Sequence, residues 1–358
     1  MTSVDIGEVL KILGAFGRYQ RFVFFLICFV MIPCAFVNQA TIFLGVSTDH
    51  YCRIFDNQTY EKDSALKECF IPYSYDNVSA SVTWEKCTMY EVNKSHSSSL
   101  SVECNYTEPI TECLNGWVYD RSTYENTIVH EFDLVCGRAW LHELALMMVP
   151  LGKCVGSVIL GQLSDILGRK HVFFTSLLCT FVIGFITTFS TGPIFYMIGQ
   201  FALGFTHSGI YLIAMVIGIE LVTSQHRAMA ITFFSCFHAV GYITLSVLAL
   251  LFRSNWQHLL FTTSLAWLTY FPYYWLLPES LRWLINKNRF IKAHRLVDKT
   301  ARYNNIELPD NFYTKLFPEY ADMKEEHTQL LSMCLHPRLV LRLCILSLIW
   351  YVKTHYNK

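Results

Sequence analysis

The chain has 358 residues, as many acidic as basic side chains, and a composition that is 53% hydrophobic but only 16% charged. A soluble domain carries about 25% charged residues to keep its surface wet, so this composition excludes an ordinary soluble globule. The neutral balance also excludes a nucleic-acid partner, which needs a basic face.

Residues 1–21 form a short polar lead containing Lys11, Arg18 and Arg21. Residues 22–46 then run almost without charge. A helix needs about 20 apolar residues to cross the hydrocarbon of a bilayer, so this run predicts a membrane span. It is longer than the apolar core of a signal peptide and has no small-residue cleavage site, so it reads as a retained first helix.

Residues 47–141 differ in kind. They hold six cysteines, Cys52, Cys69, Cys87, Cys104, Cys113 and Cys136, and four Asn-x-Ser/Thr sequons, at Asn57, Asn77, Asn93 and Asn105. An even set of cysteines together with clustered sequons reads as an extracellular loop, glycosylated and disulfide-bonded. The spacing leaves every pairing among the six cysteines open. The remaining seven cysteines lie in or near apolar runs and read as small packing residues.

Five further apolar runs follow within residues 142–277, at 142–163, 171–191, 194–219, 229–252 and 257–277. The second and third of these are separated only by the turn signal Ser190-Thr191-Gly192-Pro193. Six runs of spanning length predict an all-α membrane protein rather than the buried helices of a large soluble one. The basic residues agree. Lys11, Arg18 and Arg21, then Arg169 and Lys170, then Arg227, then the many basic residues of 278–338 all fall on one side if the spans alternate. That side is expected to be cytoplasmic, with the amino terminus on it.

Residues 278–338 are read as a cytoplasmic helical segment. Phe290, Ala293, Leu296, Val297 and Ala301 fall on one helical face, with Lys287, Arg289, Lys292, Arg295, Lys299 and Arg302 interspersed on the other. This pattern suits a helix lying on a membrane surface. Residues 339–358 open a seventh apolar run, but Leu343 to Val352 makes only about 15 Å of helix against a bilayer core of about 30 Å. The expectation is a chain that stops within its seventh helix.

Catalytic, metal and cofactor sites are not expected. "HELAL" at His142 begins like a zinc-protease helix, but Leu146 stands where the second histidine belongs. "PLGKC" has Met147 in place of the first glycine of a phosphate loop and Cys154 in place of its serine or threonine. Polar residues inside the apolar runs are the candidates for binding instead. Lys153 lies about eleven residues into the second run, where a charge is costly and a functional default. It suits recognition of a carboxylate, or it reaches water or a partner such as Glu220. His207 is either a titrating site or a hydrogen-bonded packing residue. Asn38 and Gln39 in the first run either line a cavity or bond between helices.

The stretch "GQLSDILGRK", Gly161 to Lys170, is a short polar hinge between the second and third spans, where Gly161 and Gly168 permit turning and close helix approach. In this context it resembles the signature loop of the major facilitator superfamily, G-x-L-x-D-x-x-G-R-K/R. Gly161, Leu163, Asp165, Gly168, Arg169 and Lys170 match, and Ile166 stands where that family usually has arginine. "GAFGRYQR" (Gly14–Arg21), "GWVYDRSTYENTIVHEFDLVC" (Gly116–Cys136) and "PESLRWL" (Pro278–Leu284) are similar to segments of solute carrier family 22, the organic cation, anion and carnitine transporters.

The resemblance implies the amino-terminal half of that fold, six transmembrane helices with a large extracellular loop after the first. It implies alternating access of a small organic ion, cation or zwitterion such as carnitine, with organic anions as the alternative, in the plasma membrane. It implies a cytoplasmic gate of Asp165, Arg169, Glu220, Arg227, Glu279 and Arg282. Tyr211 stands where the cation transporters carry tryptophan, and Phe233 and Phe237 stand at aromatic positions of the fifth helix. Ring faces suit cationic ligands, although plain packing accounts for most of the 27 phenylalanines. A second reading is a non-transporting chain that pairs with a second copy or a full-length relative and regulates it.

Overall fold

The structure is a computed structural model that describes residues 6–54, 59–60, 65–76, 81–91, 109–309 and 312. The four sequon asparagines, Cys104 and the expected seventh run lie outside the described residues.

A short helix α1 (Ile6–Ile12) precedes the first long helix α2 (Arg18–Leu44). Pro33 sits inside α2. Its missing N–H leaves the carbonyl four residues earlier without an intrahelical donor, and the Tyr270 hydroxyl supplies that donor, 2.9 Å from the Phe29 oxygen. The outer region then folds as β1 (His50–Cys52), α3 (Ala65–Phe70), β2 (Tyr73–Asp76), β3 (Ser81–Trp84), β4 (Thr88–Tyr90), β5 (Ile110–Glu112), β6 (Trp117–Tyr119) and α4 (Ile128–Phe132). Its strands form three antiparallel pairs, β1–β6, β2–β3 and β4–β5. None of these strands exceeds four residues, too few for an alternating pattern to stand out in the sequence.

Disulfides hold the strands. Cys52 bonds Cys113, Cys87 bonds Cys136, and Cys69 is also disulfide-bonded. Lys67 is buried under the rings of Tyr51, Tyr60 and Trp84, with its ammonium 5.1–6.0 Å from the three centroids. Cation–π attraction offsets part of the cost of desolvating it.

The remaining long helices are α5 (Ala139–Leu167), α6 (Arg169–Thr188), α7 (Pro193–Glu220) and α8 (Arg227–Leu251). Pro193 opens α7 at a position where no N–H is needed. Helices α5 and α7 meet backbone to backbone. A Cβ on Gly152 would strike the Phe201 carbonyl, and one on Gly204 would strike that of Val149. Close approach through glycine is the usual way helices pack in lipid, where no hydrophobic force drives them together.

The sixth expected span, 257–277, is not one helix. It is α9 (Trp256–Leu265), a 3₁₀ segment Ala266–Tyr270 and α10 (Tyr273–Leu276). Pro272 cannot donate to a continuing ladder, and the 3₁₀ segment turns Trp267 fully into the core. Five helices among the described residues are therefore long and apolar enough to cross a membrane unbroken.

Two apolar clusters involve the long helices, and a third, of Tyr51, Cys52, Ile54, Ile71, Met89 and Val118, lies within the outer region. The inner one joins Tyr19, Phe24, Phe173, Ile210, Phe234 and Trp267. The outer one runs from the helix ends, Leu44, Tyr196, Leu245 and Trp256, into Tyr119, Ile128 and Phe132 of the outer region. The outer region thus has a small core of its own and shares a second one with the helix ends. The Trp256 indole N–H seals the joint, donating to Glu131 at 2.6 Å.

After the bundle come α11 (Leu281–Asn286) and α12 (Phe290–Asn304). The apolar face of α12 is the expected one, but Ala293, Val297 and Ala301 are buried in the protein. That face packs against the start of α2 and against α11, while Ile291 and Tyr303 of the same helix stay exposed. Asn304 at its end accepts from the Tyr19 N–H and donates to the Leu13 carbonyl and the Gln20 side chain, each within 2.9 Å. Its amide fills the space a Cβ on Gly17 would need, which gives "GAFGRYQR" a structural reason for its second glycine.

Candidate functional site

The hinge stretch is helical almost throughout. Helix α5 runs unbroken to Leu167 and α6 starts at Arg169, so the turn is Gly168 alone. Gly168 has φ +110, and a Cβ there would lie 2.7 Å from the Glu279 carboxylate and 3.2 Å from the Trp283 ring. Gly161 meets nothing within 4 Å, so the close approach expected of both glycines belongs only to Gly168.

The segment after α10 finishes both helix ends at this turn. The Trp283 indole donates to the Asp165 carbonyl at the end of α5, at 3.0 Å. Glu279 accepts from the Lys170 N–H at the start of α6 at 3.1 Å, and from the Ser280 N–H at 3.1 Å. A carboxylate at a helix amino terminus is favoured by the helix dipole as well as by the hydrogen bonds. Deeper in, Glu220 at the end of α7 is paired with Arg169, accepts from the Ser280 hydroxyl at 2.5 Å, and has Arg282 at 3.9 Å. Asp165 is largely exposed and reaches Arg169 only at 3.8 Å. Arg227 is exposed and joins no ion pair among the described residues. Five of the six residues expected at the cytoplasmic gate are therefore brought together and Arg227 is not.

A second constellation lies midway along the helices. Lys153 of α5 donates to the Asn38 side-chain oxygen of α2. The Asn38 amide nitrogen lies 3.0 Å from His238 Nε2 of α8. His238 Nδ1 lies 3.2 Å from the Met31 carbonyl, and the Tyr242 hydroxyl lies 3.1 Å from Nε2. The Tyr211 ring on α7 stands 5.9 Å from that imidazole. No Asp or Glu among the described residues pairs with Lys153.

His207 is 2% exposed, donates Nε2–H to the Cys34 carbonyl at 3.0 Å and lies parallel to Tyr211. It holds α7 to α2 and presents no surface. Phe237 packs edge-on against Phe29, and Phe233 against Phe24 and Phe25, along the α2–α8 seam. Gln39 does not join the network. His238 and Tyr242 were not singled out from the sequence. The available signal was a histidine and a tyrosine four apart, on one helical face of an apolar run.

The constellation opens on the less covered side of the bundle. Helices α5 and α8 are buried over 28% and 22% of their apolar windows, against 50–61% for α2, α6 and α7. Lys153 is half-buried and Tyr242 is exposed, so a charge and amphipathic rings stand together on the less covered side of the bundle.

A family model described as "Sugar (and other) transporter" matches residues 77–354. The chain belongs to that family. Its relatives include the "Organic cation transporter protein" of Drosophila melanogaster, 33% identical over 321 residues, which are 89% of this chain and 56% of the relative. In Mus musculus, "Solute carrier family 22 member 4" is 30% identical, over 92% of this chain and 60% of the relative. "Organic cation/carnitine transporter 2" is 30% identical, over 91% and 58%. The resemblance to solute carrier family 22 and the major facilitator fold is borne out, and this transporter-family chain is a multi-pass membrane protein. It spans little more than half the length of these relatives.

Proposed function

We propose that the chain carries one half of the substrate site of a secondary transporter for small organic cations or zwitterions, moved by alternating access across the plasma membrane. The observation that carries this reading is Lys153, an ammonium midway along a membrane helix whose protein partner is the neutral side chain of Asn38. A charge so placed is expensive unless it serves a ligand or a pathway. It suits a carboxylate, while the faces of Tyr211, Tyr242 and Phe237 suit the ammonium end of the same molecule. A zwitterion such as carnitine meets both demands. The names of its relatives, organic cation and carnitine transporters, support the same class.

The basic residues flanking the spans favour a cytoplasmic amino terminus, and residues 47–141 with their four sequons then face outward. In that orientation the cluster of Arg169, Glu220, Glu279 and Arg282 works as part of the cytoplasmic gate. Its contacts tie the inner ends of α5, α6 and α7 to the segment after α10.

Uptake of labelled carnitine and labelled choline by cells expressing the chain, with surface biotinylation in parallel, tests the reading. Saturable carnitine uptake that Lys153→Met lowers at least tenfold, with choline uptake little changed, supports it. Surface protein without uptake of either would refute autonomous transport. Uptake restored only by a co-expressed full-length relative would move the function to a complex.

A further inference from the structure

The midspan network has a chemical direction that follows from its two ends. An ammonium carries only donors, so the Asn38 atom facing Lys153 is Oδ1, and the amide nitrogen must face His238. The Met31 carbonyl only accepts, so the His238 nitrogen facing it, Nδ1, carries a hydrogen. Nε2 then accepts from the Asn38 amide and from the Tyr242 hydroxyl. The whole arrangement holds only while Nε2 has no proton. A proton there would set N–H against NH₂. The amide could relieve this by turning over, but its NH₂ would then face the Lys153 ammonium. One amide cannot satisfy a charged Lys153 and a protonated His238 unless Lys153 finds another acceptor.

A substrate carboxylate is such an acceptor. Resting on the carrier reading above, we propose that binding of a carboxylate at Lys153 is coupled to uptake of one proton by His238, with the Asn38 amide turning over as the linking element. In the loaded state one carboxylate oxygen accepts from Lys153 and the other from the Asn38 NH₂. Asn38 Oδ1 accepts from Nε2–H, and Nδ1–H keeps its bond to the Met31 carbonyl. The proton enters on the Tyr242 side, which the rest of the chain leaves uncovered. No covalent bond changes.

The titratable and charged groups around His238 are Lys153 from α5, Cys34 from α2, His207 and Tyr211 from α7, and Tyr242 on its own helix. His207 is not the proton acceptor in this scheme. It is buried, and among the described residues no side-chain amide connects it to Lys153.

Coupling of two binding events is reciprocal. One linked proton makes carboxylate affinity rise by up to about tenfold for each unit of falling pH across the histidine range. The test uses the full chain in nanodiscs with tritiated carnitine as probe, between about pH 5.5 and 8, where the carnitine carboxylate stays ionised. The expected result is tighter carnitine binding as pH falls. Addition of carnitine to a lightly buffered sample should also draw up close to one proton per site. Choline, which lacks the carboxylate, should do neither. His238→Gln keeps an amide acceptor for Asn38 but cannot titrate, so its carnitine affinity should be flat with pH. A flat profile in the unaltered chain, or a slope that survives His238→Gln, overturns the coupling. Failure of both probes to bind at any pH overturns the carrier reading beneath it. Should the variant not fold, the proton uptake of the unaltered chain decides by itself.

Discussion

The two glycines of "GQLSDILGRK" look alike in the sequence, and the structure separates them by energy. Gly161 is helical with open space at its Cβ position, so Gly161→Ala should be neutral or stabilise by up to about 1 kcal/mol through helix propensity. Gly168 has φ +110 and ψ 143, a region that costs a non-glycine residue about 1–3 kcal/mol. Its new Cβ would also push Glu279 off the start of α6, because the carboxylate lies 2.7 Å away. Losing a charge-assisted bond adds roughly 1.5–3 kcal/mol. The sum for Gly168→Ala is about 2.5–6 kcal/mol, or a fall on the order of 10 °C in Tm. Thermal unfolding of the detergent-purified chain followed by tryptophan fluorescence measures it, and Trp283 reports from the site itself. In a Glu279→Ala background the Gly168→Ala penalty should shrink towards the backbone cost alone. Equal shifts from the two alanine substitutions would refute this account of the turn.

Three further outcomes are expected. Opening the Cys87–Cys136 bond with paired serines releases a loop with a sequence separation of 49. This should cost about 4 kcal/mol in the loop-entropy model and appear as faster proteolysis within the outer region. Burial, aided by the charge of Arg121, holds the His130 imidazole down at about 4. The unfolded chain therefore binds the proton first, so this contribution to stability is complete above about pH 6.5 and lost as pH falls towards 4. Melts at both ends of that window, compared with His130→Gln, should show the acid loss only in the unaltered chain. Gly204→Val drives a side chain into the Val149 backbone, and helix separation there should abolish a monodisperse peak on size-exclusion chromatography.

Run lengths of apolar residues are local properties, and they alone indicated an all-α membrane chain with its large polar loop after the first span. The family was legible for a similar reason, since its motifs are contiguous. Contiguity also let the amphipathic face of α12 be read correctly, although not the surface it covers, because apolar periodicity does not say whether lipid or protein will bury it. The broken sixth span depends on where Trp267 and Tyr270 find partners in α2 and the core, which a hydropathy run cannot register. Cysteine pairing was undetermined until the tertiary fold of the outer region set Cys52 of β1 beside Cys113 after β5, and Cys87 before β4 beside Cys136 after α4.

The candidate site divides the same way. Lys153 and Asn38 stood out because polar groups in apolar runs are costly wherever they fall. Their partnership spans 115 positions, and the bond from Asn38 to His238 spans 200. Hydrogen bonds between helices are fixed by which faces the packing turns together. Here the glycine contacts of α5 with α7, and of α8 with α2 at Gly241, bring Lys153 and His238 to either side of one amide. The residue types were written in the sequence, but only the tertiary structure gave them a common hydrogen-bond network.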